Sequence, residues 1–293
     1  MRFVLFILTL ALAGCATPLP PPQPAPVDAA SEPPPLAPRY PSADEVPAPA
    51  PAKPSLAASW TAISDFNGQP LVGGASVIQY KIGREHHTFQ LQLVVFDSRQ
   101  FDLKVIDQPE GWSGGSRITE CMRAAAAVAG VNGGFFTPEF KPMGLMIANG
   151  KRTGAWQTSP LLTGAVVVTS HPQLLWNAEV NPAVASELVQ AGPRLVDGGQ
   201  AVPGLDHRKQ STRTFIATDG GHQWLLGLAH DISLAELAEL LATPGLMPAF
   251  SVNRALNLDG GHSSSLYYRS NDGREHAEPG WSTVRNYLGI VPR

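Results

Sequence analysis

The chain has 293 residues, a formal net charge of −3 and only two cysteines. Both signs of charge are scattered along it, so no basic face predicts a nucleic-acid partner. Two cysteines cannot supply a thiolate zinc site, and no dense carboxylate loop requires a metal, so we assign neither a metal nor another cofactor. A hard cation held by Asp259 and loop oxygens is the alternative. A large core must therefore stabilise the fold.

The amino-terminal residues 1–15, "MRFVLFILTLALAGC", predict the compartment. Arg2 precedes an apolar run too short to span a bilayer, and small residues follow, which is typical of a secretory signal over residues 1–14. The segment "LAGC" resembles the lipobox of bacterial lipoproteins, which implies cleavage before Cys15 and lipidation of Cys15. Because Ala16 follows, we expect an outer-membrane anchor facing the periplasm. An ordinary signal peptide that contains a cysteine is the alternative.

A proline-rich stretch separates this segment from the rest of the chain. Fifteen of the 28 prolines lie within residues 16–54, among few large apolar side chains. Such a composition cannot bury enough surface to fold, so we predict that residues 15–58 form a disordered tether that reaches about 100 Å. A proline-rich ligand for another protein is the alternative.

Residues 59–293 are long enough for one globular domain. Apolar residues alternate with polar ones over 87–97 and over 101–107, which predicts two strands that pair as a hairpin or meander. Residues 117–130 contain helix formers for about three turns. A short strand and a glycine turn follow them, within 131–136.

The second half of the domain repeats this strand-and-turn pattern. We predict strands on either side of the turns at Asn149-Gly150 and at Asp219–Gly221, and a strand over 164–169. Ser233 and Glu236 form a capping box that begins a helix. Further strands are predicted in the segments "RALNLDGG", "SSSLYYRS" and "RNYLGIV". The pattern predicts an α+β fold, with strand-rich mixed or antiparallel sheets and two main helices in a single domain.

Four segments combine glycine turns with polar side chains where strands are predicted to end. They are "VNGGFFTPEFKPMGL" (131–145), "AGPRLVDGG" (191–199), "STRTFIATDGG" (211–221) and "ALNLDGGHSSS" (255–265). Each segment alone is ordinary turn chemistry. Asp219 in particular is predicted to be only a turn residue, because its flanks are plain alternating strands.

Together, the segments resemble the phosphodiester glycosidase family, which includes the lysosomal uncovering enzyme. "NGGFF", "GPRLV", "ALNLDGG" and a terminal "RNYLGIV" occur in the family's order, over about residues 71–291. The resemblance implies hydrolysis of a glycosyl-1-phosphodiester, with release of a free sugar. A carboxylate near the anomeric carbon and a cation near the phosphate would serve that reaction. Asp259 is the candidate nucleophile or base, and Arg213 is the candidate phosphate clamp.

The remaining candidates surround Asp259. We predict that Asn132 binds a sugar hydroxyl or orients water, and that His262, where the family usually has a small residue, is a substrate contact or a general acid/base. A surface or packing histidine is equally compatible with the sequence. Glu139 is a second carboxylate whose role is open. Candidate substrate-binding residues are the turn glycines and hydroxyls Gly133, Gly134, Gly260, Gly261, Ser263 and Ser264.

Two alternatives to this hydrolase remain open. "GHSSS" partly matches a nucleophile elbow, but a strand is predicted after it where an elbow requires a helix. The second alternative is an envelope lipoprotein that binds glycan or sugar phosphate without turnover. Convergence of Asn132, Arg213 and Asp259 on one place would favour the enzyme.

Overall fold

The structure is a computed structural model, and it describes residues 59–64, 68–108, 117–248 and 250–293. The predicted signal segment and the tether, with Cys15, lie outside these residues. Within the described part of the chain, none of the helices has both the length and the apolar character that crossing a membrane requires.

Strands dominate the described residues. In chain order they are β1 (Thr61–Ala62), β2 (Gln69–Pro70), β3 (Ser76–Arg84), β4 (His87–Asp97), β5 (Phe101–Asp107), β6 (Ala129–Asn132), β7 (Met146–Ala148), β8 (Lys151–Thr153), β9 (Gly164–Val168), β10 (Pro172–Trp176), β11 (Glu187–Ala191), β12 (Arg194–Asp197), β13 (Gln200–Ala201), β14 (Ser211–Thr218), β15 (Gln223–Ile232), β16 (Arg254–Asn257), β17 (Leu266–Arg269), β18 (Glu275–Glu278) and β19 (Asn286–Pro292). The α-helices are α1 (Ile118–Ala124) and α2 (Leu234–Ala242).

These strands form three antiparallel sheets. The largest has the order β1-β3-β4-β15-β14-β16-β12-β13, with β2 paired to β3. The second has the order β10-β9-β11-β7-β8, and the third has the order β18-β17-β6-β19-β5. The predicted strand-rich α+β fold with two helices is thereby confirmed.

The three sheets share one apolar core. Val94 from the largest sheet, Val166 from the second and Val131 from the third belong to the same buried cluster. The other face of the largest sheet packs against α2, through Leu237 and Leu240. Central strands are therefore buried on both faces, which fixes the positions of the loops at their ends.

The capping box of α2 is present as predicted. The Ser233 hydroxyl accepts a hydrogen bond from the Glu236 backbone N–H at 3.2 Å, and the Glu236 carboxylate accepts one from the Ser233 backbone N–H at 3.0 Å. These bonds satisfy two backbone donors that the first turn would otherwise leave without partners.

The predicted hairpin of β4 with β5 is wrong. β4 pairs with β3 and β15, whereas β5 pairs with β19 in the third sheet. Phe96 and Phe101 lie on either side of the link and their rings meet edge to face in the shared core. Alternation reveals which side chains are buried but not which strand lies alongside, so it could not show that the chain changes sheets here.

Helix α1 is shorter than the predicted three turns. It ends at Ala124, and Ala126 adopts a left-handed conformation with φ of 55°. The following residues enter β6, which lies between β17 and β19. Strand pairing in the core therefore overrides the helix propensity of the alanine run.

Candidate functional site

Two glycine turns meet where β6 and β16 end. The backbone N–H of Asp259 donates to the carbonyl of Gly133 at 3.0 Å. The side-chain amide nitrogen of Asn132 donates to the carbonyl of Asp259 at 2.7 Å. These bonds hold the "NGG" and "DGG" segments against each other, although they lie more than a hundred residues apart in the chain.

Asn132 is the centre of this junction and is fully buried. Its side-chain carbonyl accepts hydrogen bonds from the Thr214 hydroxyl at 2.7 Å and from the Ser265 backbone N–H at 3.0 Å. The amide thus connects β6, β14 and the loop that follows Asp259. This geometry favours a positioning role for Asn132 over the predicted contact with a sugar or a water.

Gly133 and Gly134 lie against the start of the last strand. A Cβ on Gly133 would collide with the side-chain oxygen of Asn286. That same oxygen accepts a hydrogen bond from the Gly134 N–H at 2.9 Å. Glycine is required at position 133 because the Asn286 side chain occupies the space of a Cβ.

Arg285 holds the loop that follows this turn. Its guanidinium donates to the carbonyl of Phe140 at 2.8 Å and pairs with the Asp107 carboxylate at 2.9 Å. Sequence reasoning used the "RN" of "RNYLGIV" only as part of a strand and of the family pattern. The adjacent Arg285 and Asn286 were the available signal that this strand also fixes the loop 133–140.

Asp259 is half-buried, and burial is the main cause that raises the pKa of its carboxyl group. The Gly260 N–H, which donates at 2.9 Å, and the Ser263 hydroxyl stabilise the ionised form and oppose this rise. The ion pairs of the described residues do not include Asp259. It is therefore a fixed and comparatively basic carboxylate, which suits a nucleophile or a general base.

The two glycines after Asp259 permit a tight loop over β14. Gly261 has a φ of 65°, a left-handed value that favours glycine. A Cβ on Gly260 would lie 3.1 Å from the carbonyl of Thr212 and 4.0 Å from Cδ of Arg213. The loop thus passes directly over the strand that carries Arg213.

Arg213 is buried beneath this loop, and its guanidinium is directed to backbone groups. Its Nε donates to the carbonyl of Ile232 at 3.1 Å and its Nη2 to that of Lys209 at 2.6 Å. Burial lowers its pKa, and the nearby Asp206 carboxylate opposes that effect. Neighbouring side chains on a strand point to opposite faces, so Arg213 and Thr214 diverge. Arg213 therefore adjoins the Asp259 loop, and its contact with phosphate remains a prediction.

The serines of the loop are buried and bonded within the protein. The Ser264 hydroxyl donates to the carbonyl of Thr212 at 3.2 Å, and the Ser263 hydroxyl bonds the Asp259 carboxylate. A single 3₁₀ turn, Gly261–Ser263, leads into the strand β17. A nucleophile elbow requires a helix at this point, so the fold lacks the geometry of a serine nucleophile.

His262 is the exposed residue of the loop. Its ring stacks on that of Trp281 with 5.4 Å between centroids and an interplanar angle of 2°. Trp281 is 88% exposed, and sequence reasoning missed it. Nothing in the sequence marks this tryptophan as exposed, because its place depends on how the chain returns from β18 to the loop.

The second predicted carboxylate, Glu139, and the second cysteine of the chain, Cys121, have opposite environments. Glu139 is exposed, and a hydrogen bond with Thr137 is the main cause that lowers its pKa. Cys121 is buried, and burial is the main cause that raises the pKa of its thiol to about 11. Across the described ranges, no three His, Cys, Asp or Glu side chains gather where they could hold a metal ion.

Comparison with solved structures shows the same fold elsewhere. A hypothetical protein from Synechocystis aligns with a TM-score of 0.55 and 16% identity, over 78% of this chain and 64% of that one. The catalytic domain of zebrafish N-acetylglucosamine-1-phosphodiester alpha-N-acetylglucosaminidase aligns with a TM-score of 0.51 and 15% identity, over 82% of this chain and 85% of that one.

Sequence comparison identifies the family. A search of curated proteins finds no significant match. The profile of the phosphodiester glycosidase family, however, matches residues 125–291, which is more than half of the chain. The matched region contains the junction of Asn132 with Asp259, together with Arg213 and Trp281. The chain therefore belongs to the phosphodiester glycosidase family.

Proposed function

We propose that this protein hydrolyses a glycosyl-1-phosphodiester bond, with Asp259 as the nucleophile or general base. The observation that carries the proposal is the state of Asp259, a half-buried carboxylate with a raised pKa on a loop fixed by Asn132 and Gly133. Membership of the family supports the reaction class.

The chemistry places one demand on this carboxylate. Breaking the bond between the anomeric carbon and the phosphate oxygen develops positive charge on the sugar ring. Asp259 either attacks that carbon, and water later hydrolyses the glycosyl ester, or removes a proton from water as the water attacks. Both routes consume one water and release a sugar and a phosphomonoester. Because the backbone of Asp259 is bonded on both sides, its carboxylate needs little reorganisation to reach the transition state.

The leaving group is an acidic phosphate, so cation binding matters more than protonation. We assign Arg213 this role because its strand passes beneath the Asp259 loop, where its Cδ would lie 4.0 Å from a Cβ on Gly260. An Arg213→Lys variant keeps the charge but loses the two-pronged geometry. If Arg213 binds phosphate, the variant raises KM for a phosphodiester by about tenfold. Unchanged kinetics would restrict Arg213 to its bonds with Ile232 and Lys209.

N-acetylglucosamine is the first sugar to test, because the zebrafish protein of the same fold is named for it. The purified full chain is incubated with an N-acetylglucosamine-1-phosphodiester, and the free sugar and the phosphomonoester are quantified. Equimolar release of both products is expected, and Asp259→Asn should abolish it. Binding of the diester without release of sugar would instead support a glycan-binding lipoprotein.

We also propose that the protein acts from the outer membrane, facing the periplasm, through lipid on Cys15. The support is the "LAGC" segment and the alanine after it. Labelled palmitate should enter the wild-type chain and be absent from Cys15→Ser, which should fractionate with soluble proteins. Absence of label from the wild-type chain would leave an ordinary signal peptide as the explanation, and labelling of both chains would place the lipid at another residue.

A further inference from the structure

A flat aromatic surface stands beside the Asp259 loop and has no role in the mechanism above. Trp281 is 88% exposed, and the His262 ring lies parallel to it. Exposing so large an apolar side chain gives up the free energy that its burial would provide. The exposed indole, oriented by the imidazole beside the Asp259 loop, offers a flat face to a ligand ring.

The backbone holds this pair in place. The N–H groups of Trp281 and Ser282 donate to the carbonyl of His262, at 2.8 and 3.3 Å. Gly280 packs on the loop so closely that a Cβ would lie 2.9 Å from the carbonyl of His262 and 3.0 Å from that of Ser263. The tryptophan is thus tied to the segment that carries the reactive carboxylate.

A cleft of about 300 Å³ lies beside Trp281, and this volume is near the lower limit for small-ligand sites. Its lining includes Arg117, Pro279, Trp281, Ser282 and Thr283. Hydroxyl and guanidinium groups around one aromatic face can hydrogen-bond sugar hydroxyls, while the ring contacts the C–H face of the sugar. The lining thus combines polar donors with an aromatic ring, and both kinds of group can bind a pyranose.

We propose that the His262–Trp281 stack is a platform on which a sugar ring of the substrate lies. The inference rests on the proposed hydrolysis and deepens it, because it adds a sugar-specific contact outside the reacting centre. Trp281 supplies the contact face, and His262 is a positioning residue that keeps the indole in plane. The ring on the platform is either the sugar that is cleaved or a second sugar on the phosphate.

Two diesters of N-acetylglucosamine-1-phosphate distinguish these sources, one with a methyl group and one with a mannose ring on the phosphate. Trp281→Ala should raise KM by about tenfold, with kcat within about twofold of wild type. A loss with both diesters places the cleaved sugar on the platform, whereas a loss with the mannose diester alone places the second sugar there. Unchanged KM for both diesters would overturn the platform.

Matched variants separate the platform from general effects. Trp281→Phe keeps an aromatic face and should stay within about threefold of wild-type KM. His262→Ala removes the support beneath the indole and should raise KM by about threefold, again with little change in kcat. Val184→Ala removes another exposed apolar side chain and should change neither constant.

If the wild-type protein turns over neither diester, calorimetry of mannose-diester binding tests the platform separately from the proposed hydrolysis. Binding that weakens about tenfold in Trp281→Ala would overturn the hydrolysis and keep the platform. Binding that Trp281→Ala leaves unchanged, or no binding at all, would overturn both. Turnover of the diesters without any dependence on Trp281 would overturn the platform alone.

Discussion

Of the three Asp-Gly-Gly segments in the chain, those that begin at Asp219 and Asp259 have the same three residues but different surroundings. Asp219 is exposed, and its carboxylate accepts hydrogen bonds from the Gly221 N–H at 2.7 Å and the Gln223 N–H at 3.2 Å. These contacts lie within its own turn. The Asp219 side chain therefore closes the link between β14 and β15 through hydrogen bonds within the turn.

The backbone of Asp259 is instead held by residues more than a hundred positions away. Its N–H bonds Gly133 and its carbonyl bonds Asn132, while burial raises the pKa of its carboxyl group. The comparison teaches that the three letters specify only a turn. A distant segment makes the second turn a candidate reaction centre, because it supplies fixed geometry and partial desolvation.

The largest expected difference between the two turns is in catalysis. Asp259→Asn should lower kcat/KM for an N-acetylglucosamine-1-phosphodiester by about a thousandfold, because the amide can neither attack carbon nor accept a proton. Asp219→Asn, the matched change, should leave kcat/KM within about twofold of wild type. Asp219 is exposed, and its side-chain hydrogen bonds lie within its own turn. Equal losses in both variants would remove the distinction.

The second difference is in stability. Asn132→Ala leaves the Thr214 hydroxyl, the Ser265 N–H and the Asp259 carbonyl without a partner, and should lower the free energy of unfolding by about 3 kcal/mol. The control is Asn253→Ala, because Asn253 is exposed and lies beside the other turn, where a Cβ on Gly220 would be 3.2 Å from its Cγ. Asn253→Ala should lower the free energy of unfolding by less than about 0.5 kcal/mol. Denaturant titrations of both variants measure this difference, and similar losses would contradict it.

The third difference is in the pH dependence of activity. Asp259 acts as an ionised carboxylate, so activity should fall as the pH is lowered and the carboxylate becomes protonated. Because burial raises the pKa of Asp259, this fall should occur at a higher pH than for an ordinary aspartate. Ser263 lowers that pKa through its hydrogen bond, and Ser263→Ala should therefore move the acid limb of kcat/KM further upward. If Ser263→Ala leaves the acid limb unchanged, a group other than Asp259 causes that limb.

The smallest expected difference is in thermal stability. Because the folded-state pKa of Asp259 is raised, the stability linked to its protonated form is lost as pH rises through that pKa. Asp259→Asn removes the buried charge and should raise Tm at neutral pH by about 2 °C. The gain should vanish at a pH below the unfolded pKa of aspartate. A lower Tm at neutral pH would indicate that the carboxylate stabilises the fold.

Local sequence features predicted the elements well. Strict alternation located β4 and β5, and Ser233 with Glu236 located the start of α2, because these signals lie within a few residues of one another. The pairing of strands did not follow from them. Whether β5 pairs with β4 or with β19 depends on contacts nearly two hundred residues apart, to which periodicity is blind.

The candidate site was predicted in part for the same reason. Residue types and the family pattern pointed to Asp259 and Asn132, but not to the hydrogen bond between them. Arg213 adjoins their loop while its guanidinium bonds backbone carbonyls. Trp281 carries no sequence signal at all, since exposure is a property of the folded surface.

The position of Arg285 and Asn286 at the start of β19 has a consequence for the order of assembly. The glycine turn that receives Asp259 is shaped by these two side chains, which come later in the chain than every other residue of the junction. Before β19 pairs between β5 and β6, the loop 133–140 lacks these contacts. The turn is therefore complete only once this late strand has joined the third sheet.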